Sequence, residues 1–330
     1  MKSVANQTQP GETWDDEGYE SHLRRVLDLA GISVPEVVLP ESRHIVVDGL
    51  RLHYLDWGGD GPAPLLFLHG GGLSAHTWDV VALAMRRRFH CLALDLRGHG
   101  ESEWSRSLDY TIDEHTADVV GLLDGLGIDR VALVGMSLGG IVSMSVALDH
   151  PARVAALTLV DVGPPPDPVG VARVNTFMKR AESFASIDDA IEAAIAYSPK
   201  RDRRLLAWTL RRNLMQLADG TLTWKYDRRN RTTTEHVDRI IARNHVLAER
   251  IEELTCPMLL VYGERSDVLS ATDAEAFVRR VRGGRIAGAP DAGHSVQGDN
   301  PAALVAELGR FFDEIPSVVD ALAHDVERKR

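Results

Sequence analysis

The stretch Val131-Ala132-Leu133-Val134-Gly135-Met136-Ser137-Leu138-Gly139-Gly140 decides the fold. An apolar run long enough for a buried strand passes into a turn of small residues, and a helix-like run follows from Gly140 to Asp149. Between them stands Gly135-x-Ser137-x-Gly139. Alone, G-x-S-x-G fixes three small residues and is weak evidence; its place between strand and helix gives it meaning. So sharp a turn forces Ser137 into a strained backbone conformation, and the flanking glycines remove side chains that would collide there. The following helix points its N-terminus at the same spot, where it favours developing negative charge.

Outward from this turn, strands alternate with helix-length segments. His44 to Val47 and Leu50 to Trp57, joined by Asp48-Gly49, predict a β-hairpin. Leu65 to Leu68, Cys91 to Leu96, Val131 to Val134, Leu157 to Val160 and Met258 to Tyr262 are continuous apolar runs. Such runs mean strands buried on both faces, as in a parallel sheet covered by helices. The rhythm breaks from Gly163 to His245, which opens on Gly163-Pro164-Pro165-Pro166-Asp167-Pro168 and reads as several helices without a clear strand. The expected organisation is an extension over 1–40, a core over 41–162 and 246–330, and an all-helical cap over 163–245. In the extension, residues up to about 16 read as disordered. Glu17 to Ala30 places Tyr19, Leu23, Val26, Leu27 and Ala30 at near-helical spacing, with Gly31 as a stop. After Pro301 a helix runs to about Phe312, and a charged segment, read as helical, continues to Arg330.

A serine hydroxyl needs a base at neutral pH, and the base needs an orienting acid. Both should lie past the C-terminal ends of other strands, where open α/β sheets build their sites. His294, in Asp291-Ala292-Gly293-His294-Ser295, is the base. The favoured acid is Asp267, in Gly263-Glu264-Arg265-Ser266-Asp267; Asp161, which ends the strand Leu157 to Val160, is the alternative. Asp291 is too close in sequence to orient His294 easily. The order Ser137, Asp267, His294 is the one expected when such a serine turn sits in an α/β sheet. An oxyanion hole would take one amide from Met136 or Leu138 and a second from His69-Gly70-Gly71-Gly72, with Gly71 preferred and Gly72 next. His69 itself reads as structural. Trp78, Met136, Phe177, Trp208, Trp224 and Gly72 are candidates for lining a substrate pocket, although each of the apolar side chains suits core packing better.

Taken together, His69 to Gly72, Asp95-Leu96-Arg97-Gly98-His99-Gly100-Glu101-Ser102, the Ser137 turn, Gly263 to Asp267 and Gly293-His294 resemble the α/β-hydrolase superfamily. The likeness runs from about His44 to Phe312. It is to the branch with a helical cap, which holds esterases, enol-lactonases, carbon–carbon bond hydrolases and cofactor-free haloperoxidases. The resemblance implies a mostly parallel eight-stranded sheet flanked by helices. It also implies that Asp95 to Ser102 is structural, shaping the loop behind the oxyanion hole. Cousins that form an alkyl-enzyme ester carry aspartate where Ser137 stands, so haloalkane and epoxide hydrolysis are not expected.

Composition agrees with a globular enzyme: 330 residues, 44% hydrophobic and 26% charged, with a net charge of −11. That charge argues against nucleic acid or an anionic membrane as a partner. Cys91 and Cys256 read as small core residues. The polar N-terminus has no apolar run of the secretory kind, and no 18-residue apolar segment occurs, so the expected location is cytoplasmic. The segment 163–245 carries 15 Lys and Arg against 10 Asp and Glu. A basic lid of this kind would suit an anionic ester, or its arginines would simply coat solvated helix faces. The expected function is hydrolysis of a small-molecule carboxylic ester through an acyl-enzyme on Ser137, without metal or organic cofactor, by a monomer or homodimer. Hydrolysis of a carbon–carbon bond in a vinylogous diketone acid is the second reading, but it needs further polar groups to tautomerise the substrate, and the sequence does not locate them. Perhydrolysis or halogenation would use the same triad. A hydrolase-derived ligand-binding protein is the alternative of a different class.

Overall fold

The computed structural model describes residues 16–163, 170, 176, 183–197, 203–231 and 234–327. The expectations for residues 1–15 and for Phe177 lie outside the described residues. An eight-stranded sheet forms the centre, in the order β1-β2-β4-β3-β5-β6-β9-β10. Its members are β1 (Glu41–Val47), β2 (Leu50–Gly58), β3 (Pro64–Leu68), β4 (His90–Leu94), β5 (Val131–Met136), β6 (Val154–Val160), β9 (Met258–Gly263) and β10 (Arg285–Ala289). Strands β1 and β2 run antiparallel to each other and β2 antiparallel to β4, while the pairs from β4 to β10 are parallel. The hairpin turn has positive φ at both Asp48 and Gly49, as a two-residue turn matching the strand twist requires.

The apolar runs are strands because both of their faces are covered. Along β3, Leu65 and Phe67 belong to one core layer, and Leu66 and Leu68 to the other. In β5, Ala132, Val134 and Met136 face the first layer, and Val131 and Leu133 the second. Helices α1 (Asp16–Ala30), α2 (Asp79–Met85), α9 (Pro301–Glu314) and α10 (Pro316–Glu327) contribute to the first layer. Helices α3 (Ile112–Gly125), α4 (Leu138–Asp149), α7 (Thr234–Glu249) and α8 (Ala271–Val278) contribute to the second. Cys91 is fully buried and Cys256 partly so, and both are free thiols.

Helix α1 forms as its spacing predicts. Tyr19, Leu23, Val26 and Leu27 are buried against the body. Gly31, at φ 67°, closes the helix: its amide bonds Asp28 O at 3.2 Å and that of Ile32 bonds Leu27 O at 3.0 Å.

Between β6 and β9 lie α5 (Ile187–Tyr197), α6 (Arg203–Asn213) and α7. One expectation is corrected here: this segment is not helical throughout. Strands β7 (Leu214–Gln216) and β8 (Leu222–Trp224) pair as an antiparallel ribbon. The turn between them, Asp219-Gly220 with Gly220 at φ 87°, reverses the chain. Three paired residues a side are too few to show as an apolar run in sequence. Phe184, Leu206, Leu210, Leu214, Trp224 and Tyr226 form a separate small cluster in this segment.

Candidate active site

Ser137 stands between β5 and α4 with φ 51° and ψ −117°. The tight turn depends on its glycines. A Cβ at Gly135 would lie 2.4 Å from Gly139 O, and one at Gly139 would lie 2.2 Å from Leu68 O. Among the described residues the Ser137 hydroxyl has no hydrogen-bond partner. A bond of this kind tightens when substrate arrives.

Strands β6, β9 and β10 follow β5 in the sheet and bring the remaining groups to the same edge. Asp161, directly after β6, is wholly buried and has φ 50°. His294 lies past the end of β10, and its Nδ1 donates to Asp161 Oδ2 at 2.7 Å. Asp161 Oδ1 accepts the Gly263 amide at 2.9 Å, and Oδ2 also accepts the Ser266 hydroxyl at 2.6 Å.

The favoured expectation for the acid is therefore corrected: the bond to His294 comes from Asp161, not Asp267. Asp267 is exposed on the turn after β9, where Gly170 packs against its carbonyl. That turn carries Asp267 outward while Ser266, one residue earlier, reaches in. Asp291 is also exposed and pairs with Arg265.

The loop after β3 approaches the serine from the other side. A Cβ at Gly70 would meet the Cβ of Ser137 at 3.3 Å. Gly72, at φ 80°, sits in a turn closed by Leu73 N to Gly70 O at 3.1 Å. The amide of Gly71 meets no acceptor among the described residues. Leu138 opens α4, so its amide is one of the helix's first, which lack an intrahelical acceptor. Met136 instead ends β5 in register with Val160.

His69 is committed at both ring nitrogens. Nδ1 donates to Gly70 O at 2.8 Å and Nε2 accepts the Leu96 amide at 3.0 Å, which makes it a neutral brace for the loop. Behind it, Asp95 takes the Ala75 amide at 2.6 Å, the Glu101 amide at 2.9 Å and His53 Nδ1 at 2.7 Å. Burial opposes the charge on Asp95, yet the bond and charge of His53 hold its carboxyl well below the usual range. These contacts join β2, the loop after β3 and residues 95–102. The family resemblance implies that residues 95–102 shape this loop; nothing in the sequence marks the join to His53 of β2.

Two pocket candidates are corrected. Trp78 is wholly buried with its ring 5.2 Å from Phe67, and Trp224 packs edge-on to Phe184 inside the small cluster. Both are core residues because their apolar rings found neighbouring aromatics. Trp208 stacks on His22 and Tyr19 of α1. Among the described residues of 163–245, Arg203 pairs with Glu192, Arg229 with Asp227, Arg239 with Glu235, and Arg243 with Asp113 and Asp149. Arg201 and the Arg231 side chain lie outside the described residues.

With this geometry in place, the chain can be set beside known proteins. A model of the Alpha/beta hydrolase family matches residues 65–308. The chain belongs to that family. An esterase of Mycobacterium tuberculosis, Rv0045c, is 32% identical over 295 residues, covering 87% of this chain and 93% of the relative. The crystal structure of that esterase superposes with a TM-score of 0.71, covering 91% of this chain and 99% of the other. A 3-hydroxybutyrate-oligomer hydrolase of Cupriavidus necator is 28% identical, over 79% of this chain and 92% of its own length. This alpha/beta hydrolase is accordingly an enzyme of the hydrolytic kind. Among its described residues no helix is long and apolar enough to cross a membrane.

Proposed function

We propose that this hydrolase cleaves a carboxylic ester through an acyl-enzyme on Ser137, with His294 as base and Asp161 as its acid. The observation that carries the reading is the 2.7 Å bond from His294 to buried Asp161 at the strand edge that also holds the strained serine. The names of two relatives, an esterase and an oligomer hydrolase, support the same class.

In this mechanism Ser137 Oγ attacks the ester carbonyl while its proton passes to His294 Nε2. Asp161 stabilises the imidazolium and keeps the proton on Nδ1. The amides of Gly71 and Leu138 receive the oxyanion; Leu138 is favoured over Met136 because a helix start leaves its N–H unpaired. Collapse breaks the bond to the alkoxide, which leaves with the proton from His294. Water then repeats the sequence on the acyl-enzyme and frees the acid. Every proton is accounted for by His294, so no further group is required. We place the substrate under a cap spanning residues 163–245, with the core over 41–162 and 246–330, acting in the cytoplasm as a monomer or homodimer.

The test is a panel of neutral and anionic p-nitrophenyl esters with a ring-fission dienoate, assayed in wild type and Ser137→Ala. Turnover of esters that disappears in the variant is the expected result. Turnover of the dienoate alone, or ester hydrolysis that survives in Ser137→Ala, would overturn the proposal.

A further inference from the structure

The turn after β9 supplies a second donor to the acid. Ser266 Oγ lies 2.6 Å from Asp161 Oδ2, the same oxygen that holds His294. The direction of this bond is forced. A carboxylate has no proton to give, and the Ser266 oxygen already accepts the amides of Val268 at 3.1 Å and Leu269 at 3.4 Å. Its one proton therefore points at Asp161. The backbone keeps it there, because Ser266 N bonds Gly263 O at 2.9 Å and Gly263 N bonds the other carboxylate oxygen.

We infer that Ser266 is a positioning residue for the acid–base pair. It fixes the rotamer of Asp161 and, by taking part of the charge on Oδ2, limits how strongly Asp161 stabilises protonated His294. This inference rests on the reading of Ser137, His294 and Asp161 given above. Its consequence has a definite sign. Without the Ser266 proton, Asp161 Oδ2 holds more charge for the imidazolium, and His294 becomes more basic. The catalytic base must be neutral, so the acid limb of kcat/KM moves to higher pH. A role confined to shaping the turn would lower stability or rate and leave the limb where it is.

Other charges near His294 stay the same in such a variant. Asp299 accepts the Gly293 amide at 3.0 Å, Arg265 is paired with Asp291, and Asp267 is exposed on the β9 turn. A displaced limb therefore reports Ser266.

The experiment measures kcat and KM against pH for a short p-nitrophenyl ester in wild type, Ser266→Ala, Ser266→Thr and Ser266→Cys. In Ser266→Ala the acid limb should rise by about half a pH unit, with kcat lowered roughly tenfold and KM little changed. Ser266→Thr keeps the hydroxyl and should restore the wild-type limb. Ser266→Cys, a weaker donor of similar size, should fall between and serves if the alanine variant does not fold. A limb that stays at the wild-type position in the alanine and cysteine variants, or moves as far in the threonine variant, overturns the inference. Asp161→Asn separates the two levels. If it is inactive while the Ser266 limbs do not move, only the role of Ser266 fails; if it is fully active, the underlying triad fails.

Discussion

Ser137 and Asp161 leave neighbouring strands with nearly the same positive φ, 51° and 50°. Neither residue is glycine, so the surrounding fold holds both against their own preference. The two side chains are thereby turned over the same edge of the sheet, one carrying the hydroxyl and the other the carboxylate.

The strain at Ser137 should be visible in stability. Ser137 makes no side-chain cap bond to α4, so replacing it loses no cap. Ser137→Gly should be more stable than Ser137→Ala by about 1 kcal/mol, since glycine adopts this φ without a Cβ clash. Urea unfolding of the two inactive variants checks this, and equal midpoints would argue that the turn is unstrained.

The two candidate acids separate cleanly by mutation. Asp161→Asn should lower kcat/KM by about 10⁴-fold, because an amide cannot hold the same His294 tautomer or stabilise its cation. Asp267→Asn should stay within about threefold of wild type, as expected of an exposed surface change. Steady-state kinetics on one ester suffices, and the reverse order of the two effects would restore Asp267 as the acid.

Helix α1 is tied down by one buried bond. Tyr19 Oη donates to Asp79 Oδ2 at 2.8 Å, and Asp79 is almost fully buried. Burial, and then the charge of Asp79, raise the Tyr19 pKa far above its ordinary value, so the phenol remains the donor. Tyr19→Phe leaves Asp79 with His76 and should cost about 1–3 kcal/mol. Thermal or urea unfolding would show it; a cost near zero would mean that α1 adds little to the fold.

His22, on the same helix, should make stability fall in mild acid. It stacks on Trp208 with ring centroids 4.1 Å apart. Burial first, then Arg25, Arg211 and Arg212, lower its pKa from 6.5 to about 4, against a smaller opposing effect of Asp79. Between those values the unfolded chain takes up a proton that the folded protein refuses, so stability declines as pH drops from 6.5 toward 4. His22→Gln should flatten that part of the stability–pH curve. Identical curves for variant and wild type would remove His22 as the cause.

Several features were legible in the residues because they follow from local constraints. Continuous apolar runs had to be strands covered on both faces. The glycines at 135 and 139 allowed only a tight turn around Ser137, and His294 near the end of the core had little other use. The spacing of Tyr19, Leu23, Val26 and Leu27 likewise marked the buried face of α1. The short ribbon at Leu214–Gln216 and Leu222–Trp224 escaped notice because three residues carry no periodicity.

The sequence by itself determined the strands and the tight turn at Ser137, and it singled out His294 as the candidate base, since each depends on burial or backbone freedom within a few residues. Tertiary structure decided which carboxylate bonds His294. Asp161 and Asp267 both follow strands that end beside His294, and both have the right chemistry. The difference lies in where each side chain is held: Asp161 is buried and bonds His294, while on the β9 turn Asp267 is exposed and Ser266 reaches the carboxylate. Such directions arise from the packing of β6 against β9 across about a hundred residues of chain, which no local pattern encodes.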